Sequence, residues 1–146
     1  MTTLTRRLVG VESGSAVVEF VILSLLVMVP LGLGAVVVVK VQAATFGVVT
    51  AAREATRAYV TADNVTQARQ RAQAAAQLAM QDQSLGNPQI AIQCLGGSCL
   101  SPGSSVRIEV TSRVTLPFIP TRSGKPNGTI PVSAVHESVI DSYRSS

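Results

Sequence analysis

Glu19 is the residue whose placement most needs a chemical reason. It stands at the front of an apolar run, Phe20 to Val39, whose composition suits a membrane interior. A carboxylate held in hydrocarbon costs a few kcal/mol even on insertion-based scales. Two arrangements would offset that cost. In one, Glu19 lies near the membrane interface and its side chain reaches out to the headgroups. In the other, it pairs with a cation supplied by another chain, such as a free α-amino group, which is largely protonated at neutral pH. Only small residues, Gly14, Ser15 and Ala16, lie a few positions ahead of it.

A second candidate is the pair Cys94 and Cys99 in Cys-Leu-Gly-Gly-Ser-Cys, downstream of the apolar run. Close spacing around a Gly-Gly turn fits a disulfide at a hairpin end in an oxidising compartment, and two free thiols in a reducing one is the competing reading. A third is Arg53, Glu54 and Arg57. Glu54 and Arg57 are one helical turn apart and suited to an ion pair. These charges read either as a solvated helix face or as a contact with a neighbouring subunit. His136 is the single histidine, and its neighbour Glu137 points to the opposite face of a strand. With no second ligand pair, no nucleophile motif around Ser15 or Ser142 and no glycine-rich phosphate loop, neither an enzyme activity nor a metal or cofactor is expected.

These residues are distributed over four segments. Residues 1–14 form a short polar leader containing Arg6 and Arg7. Residues 15–40 are a membrane helix, since the apolar part is about twenty residues, or roughly 30 Å of helix. The arginine pair ahead of the run favours an N-terminus inside the cytoplasm and a C-terminus outside. Pro30, followed by Gly32 and Gly34, predicts a kink or a locally opened turn within the run.

Residues 41–85 are rich in Ala, Gln, Thr and Arg. Val48, Ala52, Ala55, Tyr59 and Ala62 recur at helical spacing, as do Val65, Ala68, Ala72, Ala75 and Ala79. Thr61-Ala62-Asp63-Asn64 interrupts them with cap-forming residues, so one helix with a defect near Asp63 or two helices joined there are both expected. Gly86 is the expected stop. Residues 86–146 form a small β head with strands near Gln89–Cys94, Val106–Leu116 and Ile130–Tyr143. The third strand changes apolar phase, from Ile130, Val132 and Ala134 to Val135, Val139 and Tyr143, which predicts a bulge near Val135-His136. The fold class that follows is α+β, with the amphipathic helical region covering a three-stranded antiparallel sheet.

The order Gly14, four residues, then Glu19-Phe20 at the start of a hydrophobic helix resembles the processing site of type IV prepilins. It is closest to the tight-adherence subgroup, whose pattern is Gly, four residues and Glu-Phe or Glu-Tyr. The resemblance implies that a membrane-embedded prepilin peptidase cuts between Gly14 and Ser15 and makes Glu19 the fifth mature residue. Here Glu12-Ser13 precede the glycine, where a basic residue abuts it in the family pattern. Ser15-Ala16-Val17-Val18-Glu19-Phe20, the Pro-interrupted apolar helix and Ala51-Ala52-Arg53-Glu54-Ala55-Thr56-Arg57-Ala58 together look like TadE-like minor pilins or pseudopilins. That similarity covers most of Ser13 to Gln83. It implies partners in other pilins and pseudopilins, in an inner-membrane assembly platform and in membrane lipid, with Glu19 and Phe20 taking part in assembly.

Two other readings compete with it. The chain could be a membrane-anchored binding module, with Arg122 and Lys125 in the loop from Pro117 to Gly128 facing an adhesive or anionic ligand. The net charge of +4 is not gathered into a Lys/Arg cluster, which argues against nucleic acid as a partner. An ordinary secretory signal cleaved after Ala43, in Val41-Gln42-Ala43, would need an apolar core far longer than the usual 7–15 residues.

Overall fold

The computed structural model describes residues 12–83, 85–116 and 128–142. Most of the leader, the loop carrying Arg122 and Lys125, and Tyr143 lie outside the described residues. The elements in chain order are α1 (Glu12–Val60), α2 (Val65–Asp82), β1 (Gln89–Leu95), β2 (Ser105–Thr115) and β3 (Thr129–Val139). The chain divides into two compact units, residues 1–38 and 39–146.

In the first unit the residues of α1 are apolar all round. Phe20 is 70% exposed, and Val17 to Leu31 lie open as a group, so no face is reserved for a core of this chain. A helix that is hydrophobic on every side fits a membrane span. Its most apolar window has mean hydropathy 2.7 with none of it buried, so the chain carries one helix long and apolar enough to cross a membrane. The locally opened turn expected at Pro30 is not formed, because the helix runs through Pro30, Gly32 and Gly34. Proline withdraws one donor, and opening the turn would expose further backbone groups that find no partner in lipid.

The second unit is α+β. Asn64 caps α2 by accepting a hydrogen bond from the Gln67 N–H at 2.9 Å, and Gln67 Oε1 accepts in return from the Asp63 N–H. That reciprocal cap settles the choice in favour of two helices. Ala44, Val48, Ala51, Ala52, Ala55 and Tyr59 line the buried face of α1, and Ala68, Ala72, Ala76, Ala79 and Met80 that of α2. Within the second stripe, Val65 and Ala75 are displaced outward by Ala76 and Met80. Gly47 lies where α1 passes the end of α2, and a Cβ there would collide with Leu85. The helix stop is also revised. The Gln83 and Leu85 N–H groups both bond to the Met80 carbonyl, at 3.2 and 3.0 Å, so α2 ends ahead of Gly86, which has no positive φ.

The sheet has the order β1-β2-β3, antiparallel throughout. Val106, Ile108, Val110 and Val114 of β2 point inward, and the first three join the helical stripes in one buried cluster. The expected bulge in β3 is absent. Pairing runs unbroken from Ser105–Val139 to Thr115–Thr129. Ile140, fully buried just past the strand, shares its phase with Ile130, Val132 and Ala134. A one-residue shift would bury Val135 and Val139 at the expense of Ile140 and of a ladder pair. The continuous register therefore wins, and leaves His136 and Ser138 half-buried on the inner face.

Tyr59 is fully buried in this core, and its hydroxyl has no hydrogen-bond partner among the described residues. A buried hydroxyl without a partner costs about 1–3 kcal/mol. Tyr59→Phe is expected to stabilise the protein by about 1 kcal/mol, part of the gain being offset by the small void left behind. Thermal unfolding of the full chain in detergent would register this as a raised midpoint. A drop of several degrees would show that the hydroxyl is satisfied.

Candidate functional site

The stretch from Ser15 to Phe20 lies on α1, and the side chains of Ser15, Glu19 and Phe20 are all exposed. Ser15 and Glu19 are four residues apart on one face, about 6 Å along the axis. Glu19 forms no ion pair or hydrogen bond among the described residues. The Gly14–Ser15 peptide lies within α1. A glycine in a helix lowers its local stability by about 1 kcal/mol, which makes this bond easier to unwind than its neighbours.

Further along α1, Arg53, Glu54 and Arg57 are exposed. Glu54 and Arg57 do not form the expected ion pair, and none of the three is paired among the described residues. Arg57 lies in the last turn of α1, where a cation is favoured by the helix dipole. Ala51, Ala52 and Ala55, on the neighbouring face of α1, are buried in the internal core. Any contact made by this part of α1 therefore uses the charged face.

Cys94 and Cys99 are joined as a disulfide with Cα atoms 5.0 Å apart. It closes the connection between β1 and β2, where Gly96 adopts φ +81° and Gly103 φ +78°, a region closed to most side chains. The hydroxyls of Ser98 and Ser101 bond each other, and Ser104 Oγ donates to the Ser101 carbonyl at 2.7 Å. On the chain-entropy model a loop this short contributes about 2 kcal/mol.

The sequence did not single out Arg107. Its guanidinium donates to Glu137 at 3.2 Å across β2 and β3, and Ser105 Oγ donates to the same carboxylate at 3.0 Å. Both charged side chains are nearly half exposed, so the pair contributes little to stability. The strand register, once known, pairs them directly. A cleft of about 120 Å³ opens where β2 outruns β1, lined by Gly86, Asn87, Gln89, Thr111, Ser112 and Arg113. It brings together none of the residues singled out by sequence.

Comparison of the chain with protein-family models, curated proteins and solved structures gives no match.

Proposed function

We propose that this chain is a minor pilin or pseudopilin of a tight-adherence pilus, cut after Gly14 and retained in the membrane by the helix that follows. The observation that carries the reading is the junction of two features in one helix. A Gly14…Glu19-Phe20 sequence leads into the apolar part of a 49-residue helix, and among the described residues nothing buries that apolar part. A secretory signal needs no such carboxylate, and a plain anchor needs no small-residue cleavage position ahead of it.

In this reading the leader stays in the cytoplasm, and the α+β unit lies on the outer side. Cleavage creates an α-amino group at Ser15, one turn from Glu19. The two charges neutralise each other either within the chain or between neighbouring subunits as they dock. Removing the chain from its host is expected to abolish or strongly reduce surface pili counted by electron microscopy, with recovery on complementation. Unchanged piliation in its absence would contradict a role in assembly.

A further inference from the structure

The sheet is open, so β3 has one edge that no strand among the described residues covers. The ladder determines which groups face it. The Ile140 N–H donates to the Ser104 carbonyl at 2.7 Å, and the Leu116 N–H donates to the Gly128 carbonyl at 2.9 Å. These bonds lie at the two ends of an unbroken register, so the even-numbered residues of β3 bond to β2. Ser133, Val135, Glu137 and Val139 therefore turn their N–H and C=O groups to the free edge. No described residue takes up those groups.

Edge strands are commonly blunted by proline, lysine or a bulge. Here Pro131 blunts one end only. It has the parity of the outward set, so its missing N–H does not disturb the pairing with β2. From Ser133 to Val139 there is no such device. Val135 is 54% and Val139 65% exposed, and the one charged side chain there, Glu137, leans back to Arg107 on β2 at 3.2 Å. The edge of β1 is a poorer template, being seven residues long and tied at one end by the disulfide.

We propose that β3 pairs antiparallel with β3 of a second copy of this chain, about a two-fold axis at Val135. This register sets Val135 against its own copy and each Ser133 hydroxyl beside the partner's Glu137 carboxylate. It forms about eight main-chain hydrogen bonds, with single bonds where Pro131 meets the partner's Val139. An axis at Glu137 would oppose two carboxylates, and an axis at Ser133 would bring Pro131 into the centre of the ladder. In this register the edge is self-complementary, which fits a second copy and gives a continuous six-stranded sheet. The pairing does not depend on cleavage at Gly14.

The test uses the full chain in its membrane, with single cysteines introduced as Val135→Cys or Thr111→Cys. Both positions face outward from the sheet, but Thr111 lies on the central strand. Oxidation is expected to give at least tenfold more cross-linked dimer at position 135 than at 111. In parallel, Val135→Pro removes an N–H that points only at the edge. It is expected to lower the dimer fraction in mild detergent at least tenfold, with the thermal unfolding of the monomer little changed. Equal cross-linking at the two positions, a monomeric native chain, preferential cross-linking through Ala91→Cys on β1, or a dimer indifferent to Val135→Pro would each overturn the proposal.

Discussion

Gly14→Val is expected to leave the full-length precursor in the membrane, with cleavage slowed by about 100-fold or more, the scale on which misplacing a reacting bond by about an ångström acts. Two effects add. The branched side chain obstructs approach to the Gly14–Ser15 bond, which is otherwise flanked only by small groups. Valine also removes the local weakness that glycine introduces in α1, where the bond must unwind to be reached. Gly14→Ala separates the two, since alanine favours the helix most strongly but adds only a methyl group. It is expected to slow processing less than valine does. Immunoblotting of membrane fractions distinguishes precursor from mature chain. A normal yield of mature protein from the valine variant would remove Gly14 from the processing site.

Glu19→Ala is expected to have a different signature, with cleavage intact and assembly lost. The side chain is exposed and has no ion-pair partner among the described residues, and it stands four residues from the proposed new N-terminus. In a fibre interior, leaving an α-ammonium without its counter-charge costs about 3–5 kcal/mol, equivalent to docking weakened by about 10²- to several thousand-fold. Glu19→Asp keeps the charge on a shorter arm and should restore assembly in part. Pilus counts and the mature fraction, measured on the same cells, read the two effects separately. Normal pili in the alanine variant would leave Glu19 as a carboxylate that only reaches to the membrane surface.

Much of the architecture was legible because its periodicities are strong. The stripe from Val48 to Ala62 and the alternation from Val106 to Val114 each mark a face, and both faces are buried. The failures occurred where a local signal competed with a longer-range one. Val135 and Val139 suggested a bulge, but the ladder with β2 and the burial of Ile140 hold β3 in phase. Gly86 looked like a helix stop, yet the Met80 carbonyl had already taken the last donors. Arg107 and Glu137 are thirty residues apart, and only the register brings them together. The proposed processing site rests on the sequence pattern Gly14…Glu19-Phe20 alone.

The most direct measurement is the N-terminal residue of the mature protein recovered from the membrane. Ser15 is the expected first residue, with Gly14 and everything before it removed. Ala44 would make the apolar segment a discarded secretory signal. Met1 or Thr2 would make it an uncleaved anchor, and either result would contradict processing as a pilin.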